Sequence, residues 1–213
     1  MPLLKRTSAP PLPPSPSVPN KTHIDSVLNI LRLYFSRVDT LFGSLVNRLG
    51  GRFLEFPNGS FYSTTTQSVA VINTPTLVTL GSTGDSNGIR YVLGDGLHVD
   101  YNGLYNVQFS IQLTNSDTQA HDMAVWLRVN GSDVPWSSSV VTVPSTHGGQ
   151  PGYQIIAANF YVELLQSDYL ELWWSSNSLQ VQINALPPIT TPFVNPGSPA
   201  VVVTVSFVST TTD

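Results

Sequence analysis

The spacing of apolar residues divides the chain into an N-terminal arm, a helix and a β domain. Between residues 22 and 50, apolar side chains recur at alternating steps of three and four residues, which predicts one amphipathic helix. Its a and d positions are Ile24, Val27, Leu31, Tyr34, Val38, Leu41 and Leu45, and a second stripe adds Leu28, Phe35, Phe42 and Leu49. From residue 53 onward, apolar and polar residues alternate in short runs, which predicts strands with one buried face.

The helix is predicted to occupy most of a stalk over residues 22–52. Thr22, with Asp25 three residues later, is its predicted N-cap, and Gly50-Gly51 is its predicted end. So broad an apolar face fits a trimeric helical bundle or a helix packed on a partner. Because three heptads make only a short coiled coil, a helix lying on its own domain remains the alternative.

Residues 53–213 are predicted to form nine or ten short strands separated by turn residues, which indicates a sandwich, barrel or jelly roll. The most regular run is Tyr105-Asn-Val-Gln-Phe-Ser-Ile-Gln112, in which every second residue is apolar. Asn130-Gly131 lies between two such runs and predicts a β-hairpin. The fold class expected is therefore mainly β.

Residues 1–21 form a proline-rich arm in which apolar residues follow neither the helical spacing nor the strand alternation. Proline fixes φ and donates no backbone hydrogen bond, so an extended docking strand is predicted. Its candidate contact residues are Pro10, Pro11, Pro13 and Pro14. Pro16 to Lys21 also fits the loose PxxPx[KR] pattern of ligands for aromatic-lined grooves, although a docking arm or spacer is the favoured interpretation.

Charge separates the same regions. The first 52 residues carry seven basic and two acidic side chains, and the remaining 161 carry two basic and eleven acidic ones, so +5 and −9 sum to the net charge of −4. An acidic β domain argues against nucleic-acid binding, and no apolar run reaches the length of a membrane helix. Only 10% of all residues are charged, which favours an oligomer that hides part of the surface.

Sequence patterns that carry chemistry are weak in this chain. Gly84-Asp-Ser-Asn-Gly88 fits the G-x-S-x-G motif of hydrolases, but the residues around it predict a glycine-rich loop and a strand rather than a strand-to-helix turn. The four histidines lack metal-ligand spacing, and Asp85, Asp95 and Asp100 match no calcium loop. No catalytic residue, metal or cofactor is therefore predicted.

The tryptophans are the most distinctive side chains of the β domain. Trp173 and Trp174 are adjacent in a predicted strand, so one points inward and the other outward. An outward ring fits sugar stacking, and a subunit interface or the core is the favoured alternative. The candidates for the interface or surface of this domain are Tyr105, Phe109, Trp126, Trp136, Trp173 and Trp174.

Three segments carry a family resemblance. Gly103-Leu-Tyr-Asn-Val-Gln-Phe-Ser110 resembles the central strand of complement-head and tumour-necrosis-factor-like jelly rolls. Val162 to Leu172 is similar to a later turn and strand of that family, with Ser167 in place of its usual glycine, and Ser206-Phe207 matches the closing strand. The resemblance spans about residues 60–210 and implies a jelly-roll β-sandwich that forms a tight homotrimer, with aromatic residues near the threefold axis.

A basic proline-rich arm, a helical stalk and such a knob are together similar to virion proteins of tailed bacteriophages, namely head-decoration (cement) proteins and short fibres. That resemblance implies a homotrimeric, non-enzymatic decoration protein on the outer surface of the virion, docked on the major capsid protein through its arm and helix. The alternative is a receptor-binding tail or head fibre tip that contacts a host-surface glycan. A virion glycan hydrolase would need two facing carboxylates, and the sequence displays no such pair.

Overall fold

A computed structural model describes residues 10–14, 20–46, 56–192 and 194–210. The chain divides into two compact units, Met1–Glu55 and Phe56–Asp213, so the boundary lies three residues beyond the predicted one. Pro10, Pro11, Pro13 and Pro14 have no regular secondary structure. The remaining prolines of the arm lie outside the described residues.

The described part of the first unit contains one helix, α1 (Lys21–Val46). Its N-cap is Asn20, whose Oδ1 accepts a hydrogen bond of 2.8 Å from the backbone N–H of His23. The prediction of Thr22 as the cap is therefore wrong, in keeping with the stronger capping preference of asparagine. At 1.5 Å per residue, α1 is about 40 Å long. Gly50-Gly51 and Leu49 lie outside the described residues, as does the side chain of Leu45.

The described part of the second unit contains fourteen strands, arranged in two antiparallel sheets. They are β1 (Asn58–Ser63), β2 (Gln67–Ser68), β3 (Thr76–Leu77), β4 (Ser82–Asn87), β5 (Ile89–Val92), β6 (Gly96–Val99), β7 (Gly103–Asn115), β8 (His121–Val129), β9 (Ser132–Asp133), β10 (Ser139–Val143), β11 (Gly152–Leu164), β12 (Tyr169–Ser176), β13 (Val181–Ile183) and β14 (Val201–Ser209).

The first sheet has the order β2-β13-β7-β14-β1-β4, with β11 on the other side of β7. The second has the order β10-β8-β12-β6-β5, with β3 on β12 and β9 on β8. The eight principal strands are, in chain order, β1, β6, β7, β8, β10, β11, β12 and β14. They pair from the outside inward: β1 with β14, β6 with β12, β7 with β11, and β8 with β10. This is jelly-roll pairing, which confirms the predicted fold class.

The core lies between the two sheets, and β7 contributes most regularly to it. Every odd-numbered residue from 103 to 115 is buried, so the predicted alternation is confirmed. Gly103 begins this strand because a β-carbon there would collide with the ring of Phe207. Phe207 in turn makes an edge-on contact with the buried ring of Tyr105, whose hydroxyl donates a hydrogen bond of 2.7 Å to the carbonyl of Tyr101. Burial raises the pKa of the Tyr105 hydroxyl.

Two turns contain residues in the left-handed region of the backbone. Asn130 and Gly131 have φ values of 51° and 75°, as a type I′ hairpin turn requires, which confirms the hairpin between β8 and β9. Ser167, between β11 and β12, has a φ of 73°. The serine therefore occupies a left-handed position, which explains why glycine is the residue expected there.

The segment before Gly88, predicted as a loop, forms a strand. The residues preceding Gly88 form β4, which pairs with β1 at the edge of the first sheet, so the glycine-rich loop predicted over residues 84–88 is wrong. All six residues of β4 are at least partly exposed. With neither face buried, the strand has no apolar periodicity by which its sequence could reveal it.

Candidate interaction surfaces

The helix α1 carries an exposed apolar line. None of its described side chains is buried, and Leu28, Phe35 and Phe42 are 56%, 63% and 60% exposed. These three residues recur every seven positions, so they lie along one side of the helix. Ile24 is also exposed, whereas Leu31 and Val38 are half-buried. The second predicted stripe is therefore the more exposed of the two.

Across β7, β11 and β14, the outer face of the first sheet carries one charged residue, Glu163, near the end of β11. The other outward residues are all uncharged, and they are Leu104, Asn106, Gln108, Ser110 and Gln112 of β7, Tyr153, Ile155, Ala157, Asn159 and Tyr161 of β11, and Val202, Thr204 and Ser206 of β14. We call this set the uncharged face. Its centre is a shallow depression lined by small side chains, among them Ser110, Ala157 and Val202.

The strand β11 borders the uncharged face and has one free edge. Its thirteen residues all pair with β7, and β13 and β14 share the other edge of β7, so no described strand pairs with the far side of β11. Ile155 and Tyr161 are both more than half exposed beside that edge. A long edge strand with exposed apolar residues readily pairs or packs with another chain.

The outer face of the second sheet has the opposite character. In the register of β8 with β12, Trp126 lies opposite Trp173 and Arg128 lies opposite Glu171. On the other side of β8, Asp133 of β9 lies opposite Arg128. We call Trp126, Arg128, Asp133, Glu171 and Trp173 the tryptophan face.

Arg128 joins the members of this face. Its Cζ lies 4.1 Å from the ring centroid of Trp173 and 5.9 Å from that of Trp126. Its Nε donates to Oδ1 of Asp133 at 2.5 Å, and the same oxygen accepts a hydrogen bond of 2.7 Å from Nε1 of Trp126. These two hydrogen bonds, led by that from Arg128, lower the pKa of the Asp133 carboxyl below its ordinary value, so it is ionised at neutral pH.

Several polar atoms of the tryptophan face are unused. Among the described residues, nothing forms a hydrogen bond with the two Nη atoms of Arg128, with Oδ2 of Asp133 or with the carboxylate of Glu171. Glu171 is only 8% exposed, and the side chain of Arg128 is 20% exposed. The face therefore offers both hydrogen-bond donors and acceptors beside two indole rings.

Trp136 lies close in sequence to this face and has an unusual conformation. It occupies the third position of the turn Val134-Pro135-Trp136-Ser137, which is closed by a hydrogen bond of 3.3 Å from the backbone N–H of Ser137 to the carbonyl of Val134. Its φ is 65°, a value that favours glycine or asparagine at this position of a type II turn. The side chain is 98% exposed.

The six aromatic candidates divide between core and surface. Tyr105, Phe109 and Trp174 are 0–3% exposed and belong to the core between the sheets, so the prediction of an interface or surface position is wrong for these three. Trp126, Trp136 and Trp173 are on the outside, and the opposite orientation of the two adjacent tryptophans is confirmed. Arg128 and Asp133 were not predicted as site residues, although Arg128 is one of only two basic residues beyond residue 52.

The residues with weak chemical patterns do not assemble into a reactive site. Ser86 belongs to the exposed strand β4 and is followed by another strand, not by the helix that a nucleophile elbow requires. Asp95 pairs with His98 and Asp100 with Arg90. Among the described residues, no group of three or more histidine, aspartate or glutamate side chains is placed to hold a metal ion. No described helix is long and apolar enough to cross a membrane.

Comparison with known proteins gives no relative: the sequence matches no protein-family model, and no curated protein is significantly similar to it. The described residues offer three candidate interaction surfaces: the apolar line of α1, the uncharged face and the tryptophan face.

Proposed function

We propose that the protein is a non-enzymatic structural component of a tailed-bacteriophage virion, a homotrimeric decoration protein on the outer surface. The arm and α1 attach it to the major capsid protein, and the β-sandwich projects outward. The observation that carries the proposal is the apolar line of α1, because a helix with two phenylalanines and a leucine more than half exposed has a surface suited to a partner.

The gain from covering this line is large enough to matter. Complete burial of a leucine or phenylalanine side chain is worth about 1.5–3 kcal/mol, so covering the remaining exposed area of Leu28, Phe35 and Phe42 contributes roughly 3–5 kcal/mol per chain. A ligand that binds only the assembled shell stabilises the shell by mass action. Reinforcement of the particle therefore needs no chemical step.

The uncharged face supports self-association. The cores of subunit interfaces are depleted of charged residues, because buried ions lose their hydration. The outward residues of β7, β11 and β14 meet that condition except for Glu163, which lies opposite Leu104 near the end of β11. The free edge of β11 adds unpaired backbone groups. If two different surfaces of each copy are in contact and the contact rotates each copy by one third of a turn, the copies close into a ring of three.

A receptor-binding fibre tip is the second candidate, favoured by the exposed Trp136. The two candidates differ in copy number and location. A decoration protein covers many equivalent positions of the shell, whereas a fibre tip occupies a few positions at the end of an appendage. Electron cryomicroscopy of particles with and without the protein separates them.

The attachment role of α1 is tested with particles that lack the protein. The double variant Leu28→Ser/Phe35→Ser removes two residues of the apolar line, and Asn29→Ala/Ser36→Ala changes two exposed polar residues of the same helix. We expect the first variant to lose occupancy on the particles and the second to retain it. Equal occupancy of both variants would remove the role assigned to the helix.

The arm is tested separately by deletion of residues 1–19, which leaves the N-cap Asn20 and the helix α1 in place. Its described prolines belong to no strand of the sandwich, so the truncated protein should fold and should keep the oligomeric state of the full chain. We expect it to attach less well to the particles. Attachment at wild-type occupancy would make the arm a passive tail.

A further inference from the structure

Trp136 is a residue that neither folding nor packing explains. Its backbone is in the left-handed region, which is sterically unfavourable for a large side chain, and its ring is 98% exposed. Glycine or asparagine would form the same turn without this strain. An exposed tryptophan in a strained turn is the arrangement expected of a residue kept for contact with a ligand.

The turn that carries Trp136 is fixed beside the tryptophan face. The backbone N–H of Val134 donates to the carbonyl of Leu127 at 2.9 Å, and the backbone N–H of Leu127 donates to Oγ of Ser137 at 3.0 Å. Leu127 is the residue of β8 between Trp126 and Arg128. The turn is therefore attached to the strand that supplies half of the tryptophan face.

We propose that the tryptophan face, together with Trp136, is a binding site for a neutral glycan. An indole ring packs against the apolar C–H face of a sugar, and a sugar hydroxyl both donates and accepts hydrogen bonds. The unused Nη groups of Arg128 and the unused Oδ2 of Asp133 supply the matching donors and acceptor. This site goes beyond the proposed function, because it does not depend on how the protein is attached.

Charge selects a neutral sugar over an acidic one. Arg128 contributes one positive charge, and Asp133 and Glu171 contribute two negative ones, so the formal charge of the face is −1. The guanidinium is already paired with Asp133 and stacked on Trp173. A sugar carboxylate would meet two like charges and no unpaired cation.

A protein partner fits the same face less well. A macromolecular interface would bury the Arg128–Asp133 pair and close off the small exposed part of Glu171, and the carboxylates would need their hydrogen bonds satisfied in a dry contact. Sugar hydroxyls, with bridging water, can satisfy each of these groups. The small, partly charged and aromatic character of the face therefore favours a glycan.

The test uses the full-length protein, titrated with neutral gluco-, galacto- and manno-hexaoses and with 3′-sialyllactose as the acidic comparison. Binding is followed by calorimetry and by tryptophan fluorescence. We expect saturable binding of at least one neutral hexaose and none of the sialylated sugar. Trp136→Gly and Asp133→Asn should each weaken the binding by about tenfold or more. Tyr153→Ala and Tyr161→Ala, on the uncharged face, should leave it unchanged.

The variants also exclude loss of binding through misfolding. Trp136→Gly relieves an unfavourable φ, so its thermal unfolding midpoint should equal or exceed that of the wild type. The proposal is overturned if no neutral hexaose binds, if only the sialylated sugar binds, or if neutral binding survives either variant of the face. Particle attachment, measured in parallel, should be unaffected by both variants, so this test and that of the proposed function can fail independently.

Discussion

The guanidinium of Arg128 lies over the indole ring of Trp173, with Cζ 4.1 Å from the ring centroid. The two residues belong to neighbouring strands, β8 and β12, and Arg128 also donates a hydrogen bond to Asp133 of β9. One side chain therefore connects three strands on the outer face of the second sheet.

Replacement of this arginine should destabilise the sandwich. Arg128→Lys keeps the charge but loses the planar stacking and the Nε–H donor, and we expect the free energy of unfolding to fall by about 1 kcal/mol in urea denaturation. Arg90→Lys is the matched control, because Arg90 also pairs with an aspartate, Asp100, but is on neither tryptophan ring. Equal losses for the two variants would show that the ion pair alone matters.

Ser167 gives a prediction of increased stability. At a φ of 73°, glycine avoids the contact between the β-carbon and the backbone that serine must tolerate. Ser167→Gly should therefore raise the free energy of unfolding by about 1 kcal/mol. The control Ser206→Gly, at an exposed position of β14, should lower it, because glycine weakens a strand. Thermal unfolding of both variants decides between these outcomes.

Stability should depend on pH through Asp117. Its Oδ2 lies 2.8 Å from Nε2 of His121, and this hydrogen bond, together with one from the backbone N–H of Thr118, lowers the pKa of the carboxyl below 3.8. A carboxyl whose pKa is lower in the folded state stabilises the protein above the unfolded pKa, and the contribution disappears as the pH falls through the folded value. Asp117→Asn should thus be less stable than the wild type at pH 7.

The difference in urea midpoint between wild type and Asp117→Asn should shrink as the pH is lowered from about 4 towards 2. Asp85→Asn serves as the control, since the side chain of Asp85 makes no hydrogen bond or ion pair with another described residue. A constant difference across that pH range would mean that ionisation of Asp117 contributes nothing to stability.

Charge placed on the uncharged face should prevent self-association. Ile155→Glu and Tyr161→Glu each introduce a carboxylate beside the free edge of β11, where an interface would have to bury it. We expect light scattering to give a trimer mass for the wild type and a monomer mass for both variants. Leu93→Glu, on the exposed turn between β5 and β6, should remain trimeric. A monomeric wild type would contradict the proposed assembly.

A strand could be predicted from the sequence where one of its faces is buried and the other is exposed. The strand β7 was predictable because one face is in the core and the other is not, whereas β4 exposes both faces and gives no pattern. The strained position of Ser167 was visible only through the family resemblance. Contacts between strands, such as that of Arg128 with Asp133 and Trp173, depend on the register of three strands, which residue spacing alone does not determine.

The uncharged face and the tryptophan face are the outer surfaces of opposite sheets of one sandwich, and this has a consequence for the strength of binding. Copies associated through the first surface would leave the second free on every subunit. Three weak sugar sites on one rigid particle-bound ring would engage a repetitive glycan surface together, and linked sites of this kind can exceed the affinity of a single site by roughly 10²–10⁴. The glycan affinity of a single sandwich would then be far lower than that of the assembled protein.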